Sequence, residues 1–295
     1  MKKVKLSLLG GDLRQVALTE KLLTLDADVR VYGLPYNAPI GAIVCKSITD
    51  AVRGTDAIIL PVPVSRDSVH LNCVSPEKIK MSEIFELAAD VTVLGGSISP
   101  IIKEYASKKN IRLIDYYDSE ELKICNAYLS AEGAVSIAMR ELDISVSSAR
   151  IAVTGYGRIA SFLSGILKNL GADVIVAARK ERDLARAGSL GLGTHKLTLD
   201  AEKRSTVYGL QSGYDVIFNT VPSWIFDREF FEGLDKKTMI VELASAPGGF
   251  DPTIADKFGA KIINAQGIPG KYAPVSAGNL LFEFIEKILK KEMIL

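Results

Sequence analysis

The chain has 295 residues, of which 48% are hydrophobic and 24% charged, and its formal net charge is +1. This length suits two α/β domains, and the balanced charge argues against a nucleic acid or a membrane surface as partner. No apolar run reaches the length of a signal peptide or a membrane span, and the three cysteines lack the spacing of a disulfide framework or a zinc site. We therefore expect a cytoplasmic globular protein without a metal site.

In the first 125 residues, short apolar runs alternate with helical segments. The runs are Val4–Leu9, Val29–Tyr32, Ile58–Leu60, Val91–Leu94 and Ile111–Ile114. This alternation predicts an open, mostly parallel sheet flanked by helices. We assign residues 1–125 to an N-terminal α/β substrate domain.

Arg14 follows the first apolar run and the turn Gly10-Gly11-Asp12. Ligands of open α/β sheets bind at the carboxyl edge, where this turn is expected. Arg14 is therefore a candidate for binding a substrate carboxylate, and the alternative is a solvated arginine at the start of a helix.

The stretch 149–179 carries the strongest motif. Ile151–Thr154 is a β run, Gly155, Gly157 and Ala160 follow with G-x-G-x-x-A spacing, and a helical pattern leads to a second run, Val174–Ala178. This context is the fingerprint of a dinucleotide site, in which glycines let the backbone approach a pyrophosphate at a helix N-terminus. We predict that the cofactor contacts Gly155, Tyr156, Gly157, Arg158 and Ile159.

The end of the second run predicts which dinucleotide binds. An enzyme that uses NAD(H) usually has an acidic residue there, but this chain has Arg179 and Lys180, and no carboxylate before Glu181. A guanidinium suits a ribose 2′-phosphate, so we predict NADP(H). The alternative is a solvated helix start.

The remaining segments predict a second domain over residues 126–276. An amphipathic run, Asn126–Leu142, leads into the fingerprint, and further strands are expected at 191–197, 215–219, 239–243 and 261–263. A final helix over 277–295 is expected to pack back on the first domain. The predicted fold is α/β, with two doubly wound parallel-sheet (Rossmann-like) domains and a cleft between them.

Polar loops at the strand ends of the second domain are expected to flank the nicotinamide ring. Asn219, Thr220, Val221 and Pro222 form a turn suited to close approach of the ribose and nicotinamide, although a structural turn is equally compatible. Lys271 lies in the loop 267–274 and could bind a substrate carboxylate or be a surface lysine.

The chain has two histidines, His70 and His195. A dehydrogenase that oxidises a hydroxy acid uses a histidine to accept the hydroxyl proton. His195 lies away from the ring-flanking loops, and His70 lies in a polar loop of the first domain. We therefore expect chemistry that avoids a demanding proton removal from an alcohol.

Six short motifs are spread over the whole chain: Gly10-Gly11-Asp12-x-Arg14-Gln15, Ala131-Glu132-Gly133, Gly155-x-Gly157-Arg158, Asn219-Thr220-Val221-Pro222-Ser223, Leu243-Ala244-Ser245-x-Pro247-Gly248-Gly249 and Gly267-x-Pro269-Gly270-x-x-Ala273-Pro274. In this order they resemble the A subunit of dipicolinate synthase from spore-forming bacteria. Ala246 departs from the family pattern, in which an arginine is expected.

The resemblance implies NADP-dependent oxidation of dihydro- or 4-hydroxytetrahydro-dipicolinate to dipicolinate in the mother cell of a sporulating bacterium. It also implies a flavoprotein-like B subunit, and homo-oligomerisation remains open. Formation of an aromatic ring supplies driving force, so a weak base or a held water could suffice. The candidates for that role are Ser97, Glu132 and Ser245, and the candidates for binding the dianionic substrate are Arg14, Asn126 and Lys271.

Two other functions fit the same features. One is an NADP-dependent dehydrogenase of an amino or hydroxy acid, against which the missing cleft histidine argues. The other is a non-catalytic subunit that senses NADP and regulates a partner.

Overall fold

A computed structural model describes residues 3–35, 37–73, 78–199 and 205–295 of the chain. Within these residues lie two six-stranded parallel sheets with flanking helices. The predicted fold class is confirmed. The chain divides into two compact units, the first comprising residues 1–126 and 269–295 and the second comprising residues 127–268.

The first unit contains a sheet of strand order β3-β2-β1-β4-β5-β6, all parallel. Its strands are β1 (Val4–Leu9), β2 (Ala27–Tyr32), β3 (Ile43–Val44), β4 (Ala57–Ile59), β5 (Thr92–Gly95) and β6 (Leu113–Asp115). Alternate residues enter two apolar cores: Leu6, Leu8 and Ile59 belong to one, and Ile58 and Val93 to the other. Both faces of the sheet are therefore covered, as parallel sheets require.

The second unit repeats this strand order in the six strands β14-β13-β12-β7-β8-β9. A short antiparallel pair, β10 with β11, lies outside that sheet. The strands are β7 (Arg150–Thr154), β8 (Asp173–Ala178), β9 (Gly193–Lys196), β10 (Thr198–Leu199), β11 (Ser205–Thr206), β12 (Val216–Asn219), β13 (Met239–Glu242) and β14 (Lys261–Asn264). In each sheet the chain adds strands first toward one edge and then toward the other, so the strand order reverses between β1 and β4 in the first sheet and between β7 and β12 in the second. Ligands of such sheets bind beside these reversal points.

Helices flank both sheets. They are α1 (Leu13–Leu22), α2 (Ile48–Val52), α3 (Met81–Leu87), α4 (Pro100–Lys108), α5 (Glu120–Glu141), α6 (Arg158–Asn169), α7 (Glu181–Ser189), α8 (Arg228–Gly233), α9 (Pro252–Lys257), α10 (Ile268–Tyr272) and α11 (Pro274–Lys291). Short 3-10 turns occur at Tyr116–Asp118 and Val146–Ser148. In the part of the chain that the structure describes, no helix is long and apolar enough to cross a bilayer.

Helix α11 completes the core of the first unit. Leu281 and Ile285 of α11 join Leu18 and Leu22 of α1 in one buried cluster. Gly278 lets the two helices approach closely, because a Cβ there would lie 2.5 Å from the Cβ of Ala17. A larger residue at this position would force α11 away from α1.

Candidate dinucleotide and substrate sites

The turn after β7 has the backbone that a bound diphosphate needs. Gly155 has a φ of +82°, and a Cβ there would lie 2.7 Å from the Thr220 Oγ1 atom, so the position requires glycine. Gly157 precedes α6 and no side chain caps the helix. A Cβ on Gly157 would meet nothing within 4 Å, so open space adjoins the uncapped N–H groups. This arrangement fits a diphosphate.

The other residues of the predicted turn differ in their surroundings. Tyr156 is buried, and the Arg186 guanidinium lies 5.7 Å from the centre of its ring. Arg158 is exposed and Ile159 is half-buried. These positions stay predictions as cofactor contacts.

At the carboxyl end of β8, Arg179 and Lys180 are both exposed. Within the described residues, neither side chain has a hydrogen bond or an ion pair. The next acidic side chain, Glu181, is already paired with Lys196. Two cations therefore stand at the strand end where enzymes that use NAD(H) usually have an acidic residue. Contact of Arg179 and Lys180 with a cofactor stays a prediction.

A buried hydrogen-bond network joins the carboxyl ends of β7, β12 and β13. The Thr154 hydroxyl donates to the Asn219 Oδ1 atom over 2.6 Å. The Asn219 amide donates to both oxygens of Glu242, over 2.8 and 2.9 Å. The Glu242 carboxylate also accepts the backbone N–H groups of Ala244 at 2.8 Å and Gly249 at 2.9 Å.

This network fixes two of the predicted ring-flanking loops. Asn219 accepts the Val221 N–H over 3.1 Å, and Thr220 donates to the Thr154 carbonyl oxygen over 2.7 Å. Glu242 is 3% exposed. Burial raises the pKa of Glu242, and the N–H donors oppose this effect. Each of these partners is a donor, so the carboxylate form of Glu242 accepts a hydrogen bond from every one of them.

Two of the predicted catalytic residues, Glu132 and Ser245, lie in this unit. Ser245 is exposed in the loop after β13, close along the chain to Ala244, whose N–H group Glu242 accepts. Glu132 is exposed on α5, and Pro222, a predicted cofactor contact, is exposed in the loop after β12. The roles assigned to Ser245 and Glu132 stay predictions.

In the first unit, Arg14 is buried and its guanidinium bridges the segments that follow β1 and β4. Its Nε and Nη2 atoms donate to the Asp12 carboxylate at 2.9 and 2.7 Å, and Nη2 also donates to the Val62 carbonyl oxygen at 2.6 Å. Burial acts to lower the pKa of Arg14, but the hydrogen bond and charge of Asp12 raise it overall. Much of its hydrogen-bonding capacity is thus used within the fold, and its predicted contact to a substrate carboxylate would have to come from the remaining Nη1 atom.

The other predicted residues of this unit have separate surroundings. Ser97 has a φ of +54° after β5, and its N–H donates to Asp115 over 3.0 Å. Asn126 donates to the Tyr117 hydroxyl over 2.9 Å. Lys271 is exposed on α10, next to Gly270, which packs against Asp12. The structure thus places α10 near Arg14, and substrate binding by Arg14, Asn126 and Lys271 stays a prediction.

A further pair was missed by the sequence analysis. In the loop after β4, the Asp67 Oδ2 atom lies 2.7 Å from the His70 Nδ1 atom. The only hint in the sequence is the i,i+3 spacing of the two residues, which is too common to single out a site.

Comparison with known proteins shows what the chain is similar to. Residues 5–117 match the model of the N-terminal domain of the dipicolinate synthase A subunit. The dipicolinate synthase A subunit of Bacillus subtilis (strain 168) is 29% identical over 291 residues, which cover 97% of this chain and 96% of that protein.

Solved structures agree with this match. The crystal structure of the dipicolinate synthase A subunit from Bacillus halodurans aligns with a TM-score of 0.80 at 27% identity over 97% of each chain. An L-alanine dehydrogenase, with a TM-score of 0.63 and 13% identity over 97% of this chain and 89% of its own, shares the fold alone. The resemblance predicted from the six motifs is confirmed: along almost its whole length the chain is similar to dipicolinate synthase A subunits.

Proposed function

We propose that the chain is the NADP-dependent oxidoreductase subunit of a dipicolinate synthase. It would oxidise dihydrodipicolinate, or 4-hydroxytetrahydro-dipicolinate with loss of water, to dipicolinate in the cytoplasm of a sporulating mother cell. The observation that carries this proposal is the open, uncapped helix start at Gly157, with Arg179 and Lys180 at the end of the neighbouring strand.

The residues of the second unit would hold and orient the cofactor. The first N–H groups of α6 bind the diphosphate, and Arg179 binds the 2′-phosphate with parallel charge-assisted hydrogen bonds. The Glu242 network keeps the 219–222 loop in one conformation. When bound, the nicotinamide ring supplies an acceptor for a hydride. Cationic side chains of the first unit would bind the two carboxylates of the substrate.

Changing Arg179 to Ala is expected to weaken NADP(H) binding by about 1.5–3 kcal/mol, which is the typical loss of a charge-assisted hydrogen bond. NAD(H) has no 2′-phosphate, so its affinity should change much less. Titration calorimetry with both cofactors measures the difference. Arg182→Ala is the matched control, because Arg182 is an exposed arginine of α7 paired with Asp183. Equal losses for NADP(H) and NAD(H) would remove the basis for the NADP assignment.

The reaction is tested by following NADPH formation from freshly prepared dihydrodipicolinate. The expected result is that the purified chain binds NADP(H) but turns over slowly, and that a flavoprotein-like B subunit restores dipicolinate formation. Full activity of the chain alone would show that no partner is required. Absence of NADPH formation when the B subunit is present would refute the proposed reaction.

A further inference from the structure

The loop after β4 covers the reversal point of the first sheet. The Gly11 N–H donates to the Asn72 carbonyl oxygen over 2.8 Å, and the Asn72 N–H donates to the Val64 carbonyl oxygen over 2.7 Å. The Asn72 side chain donates to the Pro63 carbonyl oxygen over 3.1 Å. These bonds hold residues 61–73 over the Gly10-Gly11 turn, at the edge where this fold binds ligands.

Within that loop, Asp67 holds His70 in a defined orientation. The Asp67 Oδ1 atom accepts the N–H groups of Val69 at 2.9 Å and His70 at 2.8 Å, and Ser65 donates to it over 3.0 Å. The Oδ2 atom lies 2.7 Å from the His70 Nδ1 atom. The backbone N–H and then the ring of His70 hold the pKa of Asp67 well below its usual range.

An ionised carboxylate can only accept a hydrogen bond. The His70 Nδ1 atom therefore donates in this contact, and in the neutral form of the ring the Nε2 atom is then the acceptor. A carboxylate that fixes the tautomer and orientation of a histidine is the arrangement found in many proton-transfer sites.

Two cationic side chains border the same cavity as the histidine. The cavity has a volume of about 280 Å³, and its lining includes Arg66, Asp67, His70, Asn72 and Lys78. That volume is close to the lower limit of about 300 Å³ for small-molecule pockets. Arg66 is anchored by a hydrogen bond from its Nε atom to the Asn72 Oδ1 atom, 3.3 Å long. The cavity thus combines a proton acceptor with groups that bind carboxylates.

We propose that Asp67 and His70 form a proton-transfer pair, in which the His70 Nε2 atom accepts a proton from a small cyclic dicarboxylate bound by Arg66 and Lys78. This inference rests on the proposed function and names the proton acceptor for it. One C–H bond of the dihydropyridine ring breaks, its proton goes to Nε2, and its electron pair becomes a ring π bond. The hydrogen of the neighbouring ring carbon would leave as hydride, and the nicotinamide dinucleotide of the proposed function would supply the two-electron oxidant.

The binding part of the inference is tested by NMR of the two histidine rings in the whole chain, with pyridine-2,6-dicarboxylate as the probe. His195→Gln assigns the signals and serves as the control, because His195 lies on β9 in the other unit. The expected result is a dicarboxylate-dependent shift of the His70 signals without a shift for His195, and ¹⁵N shifts typical of a protonated Nδ1. Lys78→Met should weaken the dicarboxylate about tenfold or more.

The catalytic part is tested by steady-state kinetics with the B subunit present. His70→Gln should lower kcat about 100-fold or more, within the range for general bases, while KM changes little. Asp67→Asn keeps an oxygen for the N–H groups of Val69 and His70, but its amide would donate to Nδ1 and move the ring proton to Nε2. It should therefore lower kcat without loss of folding, and the ¹⁵N shifts should report the changed tautomer.

Two results would overturn the inference. One is that the chemical shifts of His70 do not change when the dicarboxylate is added. The other is a His70→Gln variant whose kcat stays within about threefold of the wild type. Failure of the proposed function is a different result. If the wild-type assembly reduces no NADP⁺, the oxidation is refuted, while a dicarboxylate-dependent shift at His70 would still support the binding site.

Discussion

Replacing Glu242 with Gln is expected to lower the free energy of unfolding of the second unit by about 2–3 kcal/mol. Both carboxylate oxygens accept N–H donors in a site that is 3% exposed. A glutamine side chain has one oxygen and one NH₂ group. The NH₂ group would face the N–H of either Ala244 or Gly249 and leave a buried donor unpaired, which carries the full cost of its desolvation.

Urea unfolding followed by tryptophan fluorescence measures this loss. Trp224 is the one tryptophan of the chain and lies in the second unit, so its signal reports on that unit. Glu232→Gln is the matched control, because Glu232 forms an exposed i,i+4 pair with Arg228. Such pairs contribute about 0.3–0.5 kcal/mol. A Glu242→Gln variant as stable as this control would mean that the network does not hold the three strand ends together.

Gly157→Val is expected to reduce affinity for NADP(H) about 100-fold, with little change in stability. The residue has a φ of −81°, which valine can adopt, and a Cβ would meet no protein atom within 4 Å. The branched side chain would instead occupy the space through which a diphosphate approaches the α6 N–H groups. Loss of one or two hydrogen bonds to a charged group costs about 3 kcal/mol, which corresponds to the stated factor.

Calorimetric titration gives the affinity, and thermal unfolding of the same sample confirms folding. The matched control is Gly165→Ala, since Gly165 lies within α6 and a Cβ there also meets nothing within 4 Å. It should leave cofactor affinity unchanged. Unchanged binding by Gly157→Val would show that the turn has a structural role only.

The long elements could be predicted from the sequence because each one has a strong local pattern. Val4–Leu9 and Val174–Ala178 are apolar runs of strand length, and the structure has strands at Val4–Leu9 and Asp173–Ala178. The strand Ile43–Val44 was missed. It has two residues, both exposed, and it forms because it pairs with the edge of β2. This pairing depends on the tertiary structure and leaves no pattern in the local sequence.

The dinucleotide fingerprint was visible because its glycines follow each other closely along the chain. The Thr154, Asn219 and Glu242 network was not, because these residues are 65 and 23 positions apart and meet only where three strands end side by side. His70 was not among the predicted catalytic residues for a related reason. The sequence places it in a polar loop, and only the fold shows that Asp67 orients its ring beside two cations.

The packing of α11 on α1 has a consequence for the order in which the chain folds during synthesis. The second unit, residues 127–268, has left the ribosome completely before residues 269–295 emerge. The core around Leu18 and Leu22 of α1 is completed only when Leu281 and Ile285 of α11 have been synthesised. Domains usually fold from the N-terminus onward as they are made. In this chain the later unit can fold first, and the apolar face of α1 is the surface that a chaperone would have to protect in the meantime.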